Sequence, residues 1–380
     1  MAKPTVAVAF EYPSLHGGER SFLAVCERLR DRFALVALAP PDEPLAGALA
    51  AAGLPQVGCD VKDPPALRAA LERVQALTGS PPALLHGNSL SVGRALGRLQ
   101  DDAADPLPCP VTAHLRDILN LSKRATRDLG RCDALVAVSA ATRDHHVARG
   151  LPAERVTVVH NGLDPAAFLA GVEREAARRS VREELGAPAD APLVLTVGQI
   201  GLRKGWDVLA EAAGRVRAEP APHFLAVGER WSRKAESVRF EADVFAALAA
   251  HAPGRTHRLG TRNDVPRLLA AADLLVHPAR QEPFGRVLLE AAAAGTPIVA
   301  TAVGGTREML SDACAAVPPD DPPALAATVD RLLGDAGERS RLAAAARRRT
   351  ERFTVDRSAA GLAVVWDGVL TRAMRAGAVP

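Results

Sequence analysis

Two carboxylates, Glu282 and Glu290, stand within RQEPFGRVLLEAAAAGTPIVAT (280–301), a stretch otherwise rich in alanine and aliphatic residues. Acids beside a sugar or nucleotide accept hydrogen bonds from hydroxyls or steady developing positive charge. The apolar run LLVHPA precedes the turn and VLLEAAAAG follows it, so the turn closes a strand and opens a helix. Parallel α/β sheets bind ligands at such carboxyl ends. The backbone N–H groups of Phe284, Gly285, Arg286 and Val287 would offer donors and a positive dipole end to a phosphate or to sugar hydroxyls. Gly285 lets a ligand come close to the backbone. Glu290 lies about five residues into the helix, a rise of roughly 7 Å, so the acids suit two parts of one elongated ligand, a hexose and a ribose diol. Either acid alone reads as a solvated residue near a helix start. A glycosidase pair is the sharper alternative, but it needs both carboxyls to flank one bond, which positions before and inside one helix do not favour.

The elements that must position these residues recur along the chain. TVAVAF, FALVALA, ALLHGN, VTAHLR, ALVAVS and VTVVHN alternate with helical patterns in the first half, and LVLTVG, FLAVGE, LLVHPA and PIVAT do so after a polar segment over 173–190. Both rhythms are those of doubly wound parallel sheets, which predicts an α/β protein of two Rossmann-like domains facing a cleft. The expected division is 1–172 and 173–354. The last segment, about 355–380, carries Leu362, Val365, Trp366 and Leu370 at helical spacing, and either packs back on the first domain or ends the second.

Composition narrows the function. A chain of 380 residues, 48% apolar, can build two ordinary cores. With 47 basic and 44 acidic side chains and no run of like charge, nucleic acid is not an expected partner. The five cysteines, Cys26, Cys59, Cys109, Cys132 and Cys314, are scattered and never form CxxC, which suits a reducing compartment and no zinc knuckle. TVAVAF is too short for a signal sequence, and charges interrupt the other apolar stretches before membrane-spanning length. A cytoplasmic protein is expected. Adjacent His145 and His146 would point to different helix faces and have no acidic partner, so no metal site is expected.

The chain resembles the retaining glycosyltransferases of the GT-B fold, glycosyltransferase family 4, whose signature is E-x7-E. Glu282 and Glu290 carry that spacing here. The resemblance runs through nearly the whole chain, including VSAATRDHHVARGLPAERVTVVHNGLDPAAF (138–168) and LTVGQIGLRKGWDVLAEAA (195–213). It implies that Glu282 contacts the donor sugar near the reacting carbon, that Pro283 to Val287 hold sugar and phosphate, and that Glu290 binds the nucleotide ribose. Gly17 and Gly18, in HGGER, would close on the donor diphosphate. Arg203 and Lys204 would grip it, with Arg262 added to the donor set. His114, ending VTAHL, matches a histidine placed beside the donor sugar. Arg20, His86 and Asn88 are the candidates for acceptor contact. Many relatives have arginine where this chain has Gln199, so diphosphate neutralisation would rest on Lys204 with Arg203, or an altered donor is used.

The implied reaction transfers a sugar from a UDP- or GDP-sugar with retention of configuration, with neither cofactor nor metal. The leaving phosphate itself takes the acceptor proton, so no separate base is required. The alternatives are a sugar-nucleotide epimerase or hydrolase of the same fold and a non-catalytic nucleotide-sugar binder. PPALRAALERVQAL (64–77) is poor in the basic and aromatic residues of a membrane-surface helix, so a soluble small-molecule acceptor is preferred to peripheral membrane contact. NLSKRATRDLGR (120–131) carries Lys123, Arg124, Arg127 and Arg131, which suit an anionic acceptor, a lipid phosphate or, first of the three, plain solvent. Arginine over lysine and abundant alanine suggest a GC-rich bacterial genome.

Overall fold

The computed structural model describes residues 3–102 and 104–377. Residues 1, 2 and 103 of the expected first domain, and 378–380 of the expected closing helix, lie outside it. Seven strands form the first sheet: β1 (Thr5–Ala9), β2 (Ala34–Ala39), β3 (Gln56–Gly58), β4 (Leu84–Gly87), β5 (Val111–Leu115), β6 (Ala134–Ala137) and β7 (Val156–Val158). Their order is β3-β2-β1-β4-β5-β6-β7, with every pairing parallel. Six more form a second parallel sheet: β8 (Leu193–Val197), β9 (His223–Val227), β10 (Thr256–Gly260), β11 (Leu274–His277), β12 (Ile298–Thr301) and β13 (Ala315–Val317). Its order is β10-β9-β8-β11-β12-β13. The central strands β1, β4, β5 and β11 are buried from end to end, which is why apolar residues dominate them, with His86, Thr112, His114 and His277 among the buried polar exceptions.

Strand order reverses between β1 and β4 in the first sheet and between β8 and β11 in the second. At such switch points the loops diverge to opposite faces and leave a crevice at the carboxyl ends. At the first of these points the helix Leu90–Gln100 is capped by Ser89, just past β4, which accepts from the Val92 amide at 3.1 Å.

The chain divides into Met1–Gly162 with Phe353–Pro380, and Leu163–Arg352. The break falls ahead of residue 172 because the short helix Pro165–Phe168 packs on the helix Arg286–Ala294 of the second unit. The closing helix, Val355–Arg375, belongs to the first unit and packs on Gly17–Leu29 and β6. Its Leu362, Val365, Trp366 and Leu370 join the core with Phe33 and Val136, and the Trp366 and Phe33 rings meet edge to face at 5.2 Å. Among the described residues, no helix is long and apolar enough to cross a membrane. The five cysteines are free and buried.

Candidate active site

In the second unit, the pairing of β8 with β11 sets the geometry. Leu274 lies opposite Val194 and Leu275 opposite Leu195, so the segments leaving the two strands run side by side. The Arg280 amide donates to the Arg203 carbonyl at 2.9 Å, and Arg203 Nη1 donates to the Gln281 carbonyl at 3.4 Å. Arg280 also grips Asp207 through two bonds of 2.8 and 2.7 Å and Asp320 through one of 2.6 Å. With the bond from Arg280 Nη1 to the Leu202 carbonyl at 2.6 Å, these contacts pin the loop after β8 and the first turn of the helix Trp206–Ala213 to the loop after β11.

Gly205 makes that seam possible. Its φ is 69°, in the left-handed region, and a Cβ there would lie 1.9 Å from the Pro278 carbonyl oxygen. Gly205→Ala is therefore expected to lower stability by at least about 2 kcal/mol, read as a lower urea midpoint. Gly254→Ala, at φ 71° but with nothing within 4 Å, should cost only about 1 kcal/mol. Equal losses would show that backbone conformation, not collision with Pro278, sets the penalty.

Lys204 follows directly from this seam. Its Nζ lies 2.6 Å from Glu282 Oε2, and His277 Nε2 lies 2.7 Å from the same oxygen. Glu282 is only 5% exposed. Burial pulls its pKa upward, but the Lys204 charge and the His277 hydrogen bond outweigh burial and hold the carboxyl well below its ordinary range. Burial pushes the His277 pKa down against the opposing pull of Glu282, so a neutral ring donates Nε2–H to the carboxylate. Both of these bonds fall on Oε2, and Glu282 Oε1 has no hydrogen-bond partner among the described residues. Gly285 caps the helix Arg286–Ala294 with φ 98°, and within that helix Arg286 Nε donates to Glu290 Oε1 at 2.7 Å. The Gln199 carbonyl accepts from the Trp206 indole at 2.9 Å, fixing the backbone where the β8 loop starts.

Arg262 is held by two acids. It forks onto Asp264 at 2.8 and 2.8 Å and reaches Glu184 at 2.8 Å, and it shares no hydrogen bond or ion pair with Lys204 or Glu282 among the described residues. With Arg267 on the same two acids, it ties the helix Arg174–Leu185 to Val265–Ala271.

The first unit presents a separate polar group at the ends of β4 and β5. His86 Nε2 lies 2.7 Å from His114 Nδ1, and both rings are buried. Arg116 donates to the Asn88 carbonyl at 2.9 Å, to Asn88 Oδ1 at 2.7 Å and to Asn161 Oδ1 at 3.0 Å. Asn88 Nδ2 is buried without a partner among the described residues. Gly17 and Gly18 open the helix Gly17–Leu29, where a Cβ on Gly18 would lie 3.0 Å from Arg116 Cδ. That glycine makes room for the arginine stem. Arg20 is exposed and donates to the Leu15 carbonyl at 3.2 Å. His145 and His146 bond the Leu119 and Asp117 carbonyls.

Sequence reasoning passed over His277, Arg280 and Arg116. His277 carried a signal, a histidine on the last residue of a strand just before the acidic turn. The partners of Arg280 and Arg116 are brought together by the folded loops and left no trace in local spacing.

The family described as Glycosyltransferase Family 4 matches residues 15–167, and that described as Glycosyl transferases group 1 matches residues 177–349. The D-inositol 3-phosphate glycosyltransferase of Xylanimonas cellulosilytica is 37% identical over 241 residues, 62% of this chain and 56% of the relative. That of Salinispora arenicola is 37% identical over 221 residues, 56% of this chain and 49% of the relative. The matched region thus spans about half the length of these curated relatives. Among solved structures, Anabaena HepE in complex with UDP-glucose superimposes with a TM-score of 0.81 at 21% identity, covering 96% of this chain and 99% of that one. Sucrose-phosphate synthase from Thermosynechococcus elongatus gives 0.77 at 21% identity, covering 97% and 100%. These likenesses carry the fold, two Rossmann-like parallel-sheet domains of the GT-B kind.

Proposed function

The chain belongs to glycosyltransferase family 4, the group 1 glycosyl transferases, and on that premise we propose that it is a retaining, metal-independent transferase moving a sugar from a UDP- or GDP-sugar to a small-molecule acceptor. The observation that carries this reading is the Lys204–Glu282–His277 cluster, beside the turn that opens the helix bearing Glu290. A buried carboxylate kept ionised is costly to maintain, and a sugar whose reacting carbon gains positive charge gives it a use. The Lys204 ammonium has three donors, so it can serve Glu282 and a leaving diphosphate together, with Arg203 beside it. The acceptor hydroxyl attacks on the face from which the diphosphate departs, and its proton passes to the leaving phosphate oxygen. His114 bonds the sugar or diphosphate, and the buried Asn88 Nδ2 is a donor that a ligand oxygen would satisfy. Buried free thiols and the lack of a membrane-crossing helix among the described residues fit a cytoplasmic site of action. The names of the curated relatives make D-inositol 3-phosphate a first acceptor to try.

Incubation with UDP- and GDP-hexoses, with and without acceptor, in EDTA tests the reading. Transfer with the anomeric configuration retained, followed by NMR, is expected. Donor loss without acceptor would instead indicate a hydrolase or epimerase, and activity that returns only with added metal would overturn metal independence. Glu290→Ala should weaken binding of the bare nucleoside diphosphate about tenfold to hundredfold by calorimetry, the worth of a hydrogen bond to a charged acceptor. An unchanged Kd would remove Glu290 from the ribose site.

A further inference from the structure

The contact between His86 Nε2 and His114 Nδ1, at 2.7 Å, requires one proton between the two nitrogens. Two neutral imidazoles can supply it in two ways. If His86 donates, the remaining proton of His114 sits on its own Nε2. If His114 donates from Nδ1, its Nε2 is a bare acceptor. Burial, with the nearby Arg116 charge, pushes the His86 pKa down to about 3 and that of His114 well below its ordinary value, so both rings are neutral.

The choice is made on the far side of His86. Its Nδ1 lies 2.8 Å from Thr112 Oγ1 and 3.4 Å from Trp366 Nε1. A hydroxyl donates or accepts and so leaves both forms open. An indole N–H only donates. Trp366 is 0% exposed, so no solvent stands in for its partner, and leaving that donor unmade would cost desolvation energy. His86 Nδ1 must then be bare, its proton is on Nε2, and His114 Nδ1 accepts.

We propose that Trp366 and His86 are positioning residues that fix His114 as a neutral donor through Nε2–H, ready for an acceptor oxygen of the bound nucleotide sugar. The use of His114 toward that ligand rests on the function proposed above, whereas the tautomer does not. His114 Nε2 has no hydrogen-bond partner among the described residues, so its proton is available. The arrangement also gives the closing helix a chemical task besides filling the core: the last helix of the chain, 280 residues beyond His86, sets the polarity of a side chain on β5.

Long-range ¹H–¹⁵N spectra of the full chain labelled at histidine read the tautomer directly. The wild-type protein should show a pyrrole-like Nε2 and a pyridine-like Nδ1 at His114, and the reverse would overturn the proposal without any variant. In Trp366→Phe the Thr112 hydroxyl is left to donate or accept, so both tautomers of His114 should appear. Thr112→Val keeps the indole and should retain the single wild-type form. An unchanged spectrum in Trp366→Phe, or mixed forms in Thr112→Val, would overturn the assignment. With the folded state verified by the remaining signals, kcat of Trp366→Phe should fall about twofold if the forms are equally populated, and further as the wrong form gains. A wild-type protein that transfers no sugar would remove the proposed reaction and leave the tautomer result standing.

Discussion

Glu282→Gln is expected to lower kcat by about 10²- to 10³-fold, the size of effect seen when one preorganised electrostatic group is removed from a transition state. The substitution keeps the shape of the side chain and an oxygen that can still accept from Lys204 and His277, which lie 2.6 and 2.7 Å from it. What it removes is the charge. A sugar leaving its diphosphate carries positive character at the reacting carbon only near the transition state, so the loss should fall on kcat more than on KM. Steady-state kinetics with a saturating donor would measure it. A kcat within about threefold of wild type would mean that the carboxylate orients sugar hydroxyls without stabilising charge, and a loss confined to KM would assign it to ground-state binding.

The alternation of apolar runs with helical patterns that located the sheets was informative because parallel strands covered on both faces are mostly apolar. TVAVA, ALVALA, LLHG and VTAHL each became a strand of the first sheet. Lys204 and Glu282 could be picked out singly, since a rare lysine and an acid at strand ends are conspicuous, but their 2.6 Å pairing depends on β8 lying next to β11, a neighbour 80 residues away in sequence. The same holds for Trp366. Its place on an apolar helical stripe was readable from spacing, yet the nitrogen it would face was not, because spacing reports which face is buried and is silent on what that face meets. The partners of Arg262 were equally illegible: it is engaged by Asp264 and Glu184, acids on its own loop and on a helix far away in sequence.

Lys204→Met should destabilise the protein by about 3–5 kcal/mol at neutral pH and remove most transfer activity. Removing one member of a buried ion pair leaves the other charge without compensation. The Lys204 and Glu282 side chains are 16% and 7% exposed, so solvent recovers little of the loss. The pH dependence separates this cause from lost packing. In the wild type the Glu282 pKa is depressed in the folded state, so its contribution is present above the unfolded value of about 4.3 and is lost as pH falls through the lower folded value. Without Lys204 the burial that already opposes ionisation is offset only by His277, and the folded pKa of Glu282 rises. A raised carboxyl pKa reverses the sign: the variant is penalised above that pKa and relieved as pH falls through it. The stability gap between the two proteins should therefore be widest near pH 7.5 and narrow toward pH 5, measured as urea midpoints. Adding Glu282→Gln to Lys204→Met should restore much of the stability at pH 7.5 and none of the activity, because it neutralises the stranded charge while leaving the diphosphate without its lysine. A gap that stays constant with pH, or a double variant no more stable than Lys204→Met alone, would place the effect of the lysine in its aliphatic stem and not in its charge.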